Sequence, residues 1–323
     1  MGKFSYSKLD LFDQCPMRYK LKYIDGYRTQ EQTIALEVGS IAHKGKELWG
    51  SWLSENKIPD YDYIDYVLKN GIEVSRTLIV NGAEIETVVI EDLLGIEEIK
   101  NKYIEEYYKK CNKTGMNYKE KFNIYRQNFS NKLDDNWRVL DVEKDFKIKY
   151  KDEVIEGFID RIDINQNKDL RVVDYKTSKD IYRDDKLTTP LQMFIYTLAC
   201  EYLYNKLPIE HIYDFIFLDK IQQACTKGYY NRGLKKLDKL LGSIKECEEK
   251  SIYVPKPTPL CHWCEYSNNT CTVDKELNGM CQYYSLWTPE NKTFSTNKKW
   301  NDFSNIISEN NITPSKDKKE FIW

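Results

Sequence analysis

Residues 153–178, EVIEGFIDRIDINQNKDLRVVDYKTS, hold two alternating apolar runs around a polar middle, the period-two pattern of a β-hairpin. WRVLDVEKDFKIKY (137–150) opens a strand region that continues into that hairpin. TTPLQMFIYTLACEYLYNKL (188–207) switches to helical spacing, with a Thr cap, Pro190 in the first turn, and Leu191, Phe194, Ile195 and Leu198 on recurring positions. HIYDFIFLDK (211–220) returns to strand, and GLKKLDKLLGSIKECEEK (233–250) is amphipathic and helical. Three antiparallel strands, a helix and a further strand predict an α/β fold with a mixed-sheet core over 136–250.

Upstream, residues 4–27 read as a helix pair interrupted at Cys15-Pro16, because proline breaks a helical interior. VGSIAHKGKELWGSWLS (38–54) reads as a helix with Ile41, Leu48 and Trp52 on its apolar face, completing an N-terminal region of 1–55. Tyr, Glu, Lys and Asn at helix-like spacing over 60–133 predict a helical insertion, bounded at 56–135. SIYVPKPTPL leads into a Cys-rich segment, 251–288, and the Asn/Lys-rich tail 289–323 is expected to be peripheral.

Composition narrows the class. The chain of 323 residues is 41% hydrophobic and 31% charged, which suits a folded protein and excludes wholesale disorder. No apolar run reaches bilayer length and MGKFSYSKLD lacks a signal-peptide core, so no membrane role and a cytoplasmic location are expected. A net charge of −2 gives no global pull toward nucleic acid, so a polyanion would have to be held by local cations or metal ions. There is no internal repeat and no GxxxxGK[ST] loop, which excludes a motor of that type. Nine cysteines in a reducing compartment read as metal ligands where they cluster.

Asp160, Asp174 and Lys176 interrupt the apolar hairpin runs. If the turn has odd length and centres on Asn167, opposed positions sum to 334, Asp160 faces Asp174, and Lys176 shares the face of Asp174. An even-length turn would break that pairing. Opposed carboxylates repel, and a hard divalent cation such as Mg²⁺ or Mn²⁺ between them removes the penalty. A neighbouring lysine can orient or help deprotonate an attacking water and counter charge on a phosphate, so the trio suits phosphodiester hydrolysis. A solvated sheet face with an Asp–Lys pair is the plainer alternative.

Further pieces of the chain place these residues in company. FSYSKLDLFDQCPMRYK (4–20), GSIAHKGKE (39–47), EGFIDRID (156–163), VVDYKTS (172–178) and QMFIYTLA (192–199) resemble, in order, the motifs of the RecB-like branch of the PD-(D/E)XK nuclease superfamily. The resemblance runs from residue 4 to residue 271 and skips 60–133. It implies a restriction-endonuclease-like fold and a DNA exonuclease. By it, Asp160, Asp174 and His43 bind metal, the Tyr175 carbonyl adds a ligand, Lys176 is the catalytic lysine, and Gln192 with Tyr196 forms a QxxxY element that holds DNA or orients the site. Gln192 and Tyr196, four apart, share one helical face. Glu47, one turn beyond His43, could buttress it. Arg161, Lys179, Arg183 and Lys186 are candidate phosphate contacts.

Cys261, Cys264 and Cys271, with Cys281 ten residues later, form a CxxC-based thiolate cluster. Chemistry allows a local Zn²⁺ site of these four, or three of them plus a distant cysteine around an iron–sulfur cubane. The resemblance extends to the iron–sulfur nucleases of CRISPR adaptation and AddAB-type complexes, and implies a [4Fe-4S] cluster on Cys15, Cys261, Cys264 and Cys271. The gap before Cys271 is longer than the usual pattern and Cys281 is surplus, which makes Cys281 the substitute ligand. Such a cluster would staple the early helices to the C-terminal segment. Cys111, Cys200, Cys225 and Cys247 are expected to be packed thiols. Partners implied are DNA and proteins of a recombination, CRISPR-adaptation or phage DNA-processing complex. A catalytically inactive DNA-binding subunit of such a complex is the alternative function.

Overall fold

The structure is a computed structural model. It describes residues 2–27, 33–80, 83–103, 118–127, 136–178, 180–183, 187, 190–224, 228–258, 261, 264–267, 277 and 279–281. Two compact units emerge: Met1–Tyr6 with Gln32–Asp238, and Ser7–Glu31 with Lys239–Trp323.

The first unit is built on a six-stranded mixed sheet. Strand β4 (Trp137–Tyr150) runs antiparallel to β5 (Glu153–Asn165), and β6 (Leu170–Lys176) pairs with the C-terminal end of β5. The short β1 (Lys3–Phe4) lies parallel to the start of β5. β7 (Pro208–Phe215) is parallel to β6, and β8 (Lys220–Gln223) closes the order antiparallel to β7. A parallel pair requires a crossover, and α7 (Leu191–Tyr204) supplies it.

The β5–β6 turn settles the register. Ile164 pairs with Leu170 and Asn165 donates its amide to the Asp169 carbonyl, so the five-residue turn is centred on Asn167, and Arg161 falls opposite Val173. The Asn165 side chain accepts from the Asp169 amide at 2.8 Å, and Lys168 takes the left-handed conformation that closes the turn.

The 21-residue helix α3 (Ile34–Ser54) packs Ile34, Val38, Ile41, Ala42 and Trp49 against Val173, Tyr175 and Ile212 of the sheet. Two glycines permit the fit. A Cβ on Gly45 would come within 2.7 Å of the Tyr125 hydroxyl, and one on Gly50 within 2.4 Å of Val142 Cγ1. Burying each large apolar side chain here contributes about 1.5–3 kcal/mol, enough in sum to fix α3 on the sheet.

The segment expected to be a helical insertion is only partly helical. α4 (Tyr61–Asn70), α5 (Ile96–Lys102) and α6 (Tyr118–Gln127) are helices that add Ile64, Val67, Leu68, Ile99, Phe122 and Tyr125 to the same core. Between α4 and α5 lies a two-stranded antiparallel hairpin, β2 (Gly71–Val80) and β3 (Ala83–Leu94). The physical cause is legible: β-branched runs flank Asn81-Gly82, the dipeptide that most favours a two-residue hairpin turn. The strand read over 211–220 likewise ends at Phe215, and residues 216–219 turn back into β8.

The second unit contains α1 from Ser7 (the helix spans Tyr6–Gln14), α2 (Pro16–Tyr19) running into a π-helical turn at Lys20–Ile24, and α8 (Tyr229–Lys250) from Lys239 onward. Cys15, extended at φ −160°, breaks α1 from α2, and Pro16 occupies the first turn, where its missing N–H has no consequence. Met17, Leu21, Tyr266 and Leu277 form a small core flanked by Cys15, Cys264 and Cys281. Among the described residues no helix is long and apolar enough to cross a membrane.

Candidate active site

Three adjacent strands each carry one carboxylate on the same face of the sheet. The β5–β6 ladder stops at Arg161 and Val173, and one step further Asp160 Oδ2 accepts the Tyr175 amide at 2.7 Å. A side-chain carboxylate thus replaces a backbone acceptor, and the strands part beside Asp174. On the other side of β5 the register slips: Val139 pairs with Asp163 but Asp141 with Ile162, leaving Leu140 as the extra residue of a bulge. After the bulge, Val142–Arg161 and Lys144–Ile159 bracket Glu143 and Asp160, so those two stand opposite each other.

Glu143 was not among the residues expected from sequence. An unbulged ladder would have placed Val142 opposite Asp160, and nothing in WRVLDVEKDFKIKY announces the slip. Glu143 adopts φ +42°, a strained conformation for a residue inside a strand. His43, Glu143 and Asp160 each offer a ligand atom, all within 4.8 Å of one another, and His43 Nδ1 lies 3.7 Å from Asp160 Oδ2. Burial, then the charges of Asp160 and Glu47, push the Glu143 carboxyl up to about 8, against the opposing pull of Lys44. Burial and neighbouring carboxylates both favour the protonated form of such a group. Two carboxylates and an imidazole suit Mg²⁺ or Mn²⁺, so the residues fit a divalent cation.

Asp174 stands outside that trio. It is fully buried, its Oδ2 pairs with Lys176 Nζ and its Oδ1 accepts from the Tyr196 hydroxyl at 3.3 Å. Lys176 Nζ in turn donates to Gln192 Oε1 at 3.0 Å, and Gln192 Nε2 donates to the Tyr196 oxygen at 3.0 Å. Asp174, Lys176, Gln192 and Tyr196 therefore close a ring of four side chains joined by three hydrogen bonds and one ion pair. Burial drives the Asp174 carboxyl above its ordinary range, Lys176 opposes this, and Asp160 adds to it. Burial works against the Lys176 charge, yet Asp174, Tyr182 and Asp160 together hold its pKa above the usual lysine value. The Tyr196 phenol is raised as well, by burial first and then by Asp160 and Asp174.

Tyr175 turns its side chain into the core, where its hydroxyl accepts from Arg161 at 3.0 Å. Arg161 is itself buried and bound to Asp163, so it does not face a substrate. Lys179 and Lys186 lie outside the described residues. An open cleft of about 500 Å³ borders the acids and is lined by His43, Lys44, Glu47, Glu143 and Asp160 among others. Glu47 is paired with Lys44 at 2.6 Å rather than with His43.

The second unit gathers thiols. Cys15, Cys261, Cys264 and Cys281 line one cavity of about 40 Å³. Cys271 lies outside the described residues, as do Cys111 and Cys225, while Cys200 is buried as a packed thiol. The Lys256 amide donates to Cys15 Sγ and the Thr258 amide to Cys261 Sγ, each at 3.4 Å. Burial raises the Cys264 thiol to about 12 and the Cys261 thiol above its ordinary value. Two of the four sulfurs thus accept backbone amides, as thiolates at soft metal centres do, while the group of ligand atoms found within 4.8 Å of one another among the described residues is that of His43, Glu143 and Asp160.

A family model of the PD-(D/E)XK nuclease superfamily matches residues 3–271. No curated protein matches the chain.

Proposed function

The chain belongs to the PD-(D/E)XK nuclease superfamily, and we propose that it is a Mg²⁺- or Mn²⁺-dependent deoxyribonuclease that degrades single-stranded DNA or DNA ends. One observation supports this most: His43, Glu143 and Asp160 converge beside a buried Asp174–Lys176 pair, at the edge of an open cleft. His43, Glu143 and Asp160 would hold the cation, with Asp174 and the Tyr175 carbonyl completing its surroundings. When bound, the cation supplies charge neutralisation at the phosphoryl oxygens and acidifies an attacking water.

The side chains set the rest. Lys176 stays protonated, so it serves as hydrogen-bond donor and counter-charge to the phosphate, not as the base. Gln192 and Tyr196 hold Lys176 and Asp174 in fixed rotamers, so this pair acts by positioning. Asp160, by accepting the Tyr175 amide, fixes where β6 leaves β5 and hence where Asp174 stands. The test is degradation of an end-labelled oligonucleotide by the full chain with Mn²⁺. Asp174→Asn should fold normally by circular dichroism and reduce degradation to background, and continued degradation by that variant would defeat the assignment.

We further propose a [4Fe-4S] cluster on the four clustered thiols, with Cys281 as the fourth ligand. Their common cavity and the amide donors to sulfur support it. Protein purified anaerobically should be brown and carry iron, and the Cys264→Ser variant should be pale. Colourless protein with stoichiometric zinc would replace the cluster with a Zn²⁺ site. The cluster reading associates the chain with recombination, CRISPR-adaptation or phage DNA-processing assemblies.

A further inference from the structure

The cleft beside the acids has a second wall that the hydrolytic chemistry does not use. On α3, Leu36, Ser40, His43 and Glu47 recur at spacings of three and four and share one helical face. His43 belongs to the metal trio, but the turns before it continue the same face away from the acids. Leu36 is 60% exposed, an unusual position for a leucine at the mouth of a cleft. Leu93, at the foot of the β2–β3 hairpin, lines the cleft as well. Gly39 and Thr177 leave the floor narrow but open: a Cβ on Gly39 would come only 3.4 Å from Thr177 Oγ1. Lys44 is the cation among the described lining residues, and it is paired with Glu47.

Away from the three acids of the lining, Lys44, Ser40 and Thr177 offer hydrogen-bond donors and Leu36 and Leu93 offer apolar surface, the two needs of a nucleotide's phosphate and base. The volume, about 500 Å³, lies within the ~300–1,000 Å³ range of sites for drug-sized ligands, which suits one nucleotide and not a base pair. Building on the nuclease reading, we propose that this cleft binds one unpaired nucleotide of the DNA strand next to the scissile phosphate. Lys44, Ser40 and Thr177 take its phosphate, and Leu36 and Leu93 sandwich its base. The Lys44–Glu47 pair is the resting partner that the phosphate displaces. A base seated between Leu36 and Leu93 must be unpaired, so the site selects single strands or frayed ends.

Two variants of the full chain test this. Ser40→Trp puts an indole into the cleft from a partly exposed helical position, and Lys44→Met removes the cation. Binding is measured with a fluorescent single-stranded oligonucleotide in Ca²⁺, across a salt series, and with the matching blunt duplex. Wild-type protein should bind the single strand at least about tenfold more tightly than the duplex, because only an unpaired base can seat between Leu36 and Leu93. Ser40→Trp should weaken single-strand binding at least tenfold while keeping its melting temperature and its Mn²⁺ affinity by calorimetry. Lys44→Met should lower the slope of log K against log salt by about 0.7, the loss of one contact to single-stranded phosphate. If Ser40→Trp folds poorly, the Lys44→Met slope alone decides. Wild-type cleavage with unchanged binding and slope in the variants overturns the subsite but leaves the nuclease intact. Equal affinity for duplex overturns the selectivity. A wild-type protein that neither binds nor cleaves DNA overturns both.

Discussion

Replacing Glu143 with Gln separates the metal-site argument from a purely structural one. In the folded, metal-free protein Glu143 has its pKa pushed from 4.5 to about 8, first by burial and then by Asp160 and Glu47. At pH 7 the unfolded chain carries this carboxylate ionised, whereas the folded chain holds it protonated. Folding must therefore take up a proton. Across the 2.5 units between 4.5 and 7, at about 1.36 kcal/mol per unit, the cost is about 3 kcal/mol. Partial exposure of the side chain reduces this, to roughly 1–3 kcal/mol. The cost is absent below pH 4.5 and grows until the pH passes the folded pKa. Gln removes it, so in EDTA at pH 7 Glu143→Gln should melt higher than wild type, by about 2–4 °C per kcal/mol, and the gap should shrink toward pH 5. Added Mn²⁺ should reverse the order, because the cation stabilises only the protein that offers the carboxylate. Differential scanning fluorimetry from pH 5 to 8, with EDTA or Mn²⁺, makes the comparison. A variant no more stable than wild type at pH 7 in EDTA, or a pH-independent difference, would refute the reasoning.

Two further predictions concern the rest of the site and its support. Lys176→Met should lower kcat by about 10²–10³-fold, the usual consequence of removing one transition-state donor, with KM little changed; a kcat within a few-fold of wild type would exclude the assigned role. Because Lys176 remains protonated, wild-type activity should show no dependence on its titration at neutral pH. Asp163→Asn should destabilise the fold by about 3–5 kcal/mol, since Asp163 is fully buried and accepts from Arg171 at 2.7 and 2.9 Å and from Arg161 at 3.2 Å. Urea denaturation measures this, and a loss below about 1 kcal/mol would show that the two arginines find other partners.

Much of this architecture was written in local pattern. Alternation in 153–178 specified β5 and β6, and the odd-length turn with Asn165 and Asp169 at its ends carried their register, because local hydrogen bonds decide turn length. Helical spacing in 188–207 located α7 and, with it, the Gln192–Tyr196 pair. The bulge at Leu140 was not legible, because a register slip within the β4–β5 ladder leaves no turn or spacing signal in the local sequence. Glu143 was hidden with it. The β2–β3 hairpin was missed for a different reason, since surrounding Glu- and Lys-rich stretches read as helix and outweighed the local signal of Asn81-Gly82. The thiol cavity combines both cases. Its CxxC was plain, whereas the approach of Cys281 depends on a chain reversal that brings its amide onto the Tyr266 carbonyl at 2.8 Å.

The two faces of β6 explain how so charged a site is held still. Asp174 and Lys176 project from one face, while Val173 and Tyr175 project from the other into the core beneath α3. On that hidden face the charges are mostly balanced by cations: Lys46, buried over the rings of Trp49, Tyr125 and Tyr175, lies 3.9 Å from Asp214, and Arg161 stacks on Trp49 and Tyr175. Lys46 sits one turn beyond His43, so the contact that anchors α3 to the sheet also fixes His43 relative to Asp160. The rigid rear wall keeps the three carboxylates from relieving their repulsion by moving apart, so without metal the proton on Glu143 and the Lys176 charge beside Asp174 relieve it, and a bound divalent cation would take over the proton's part.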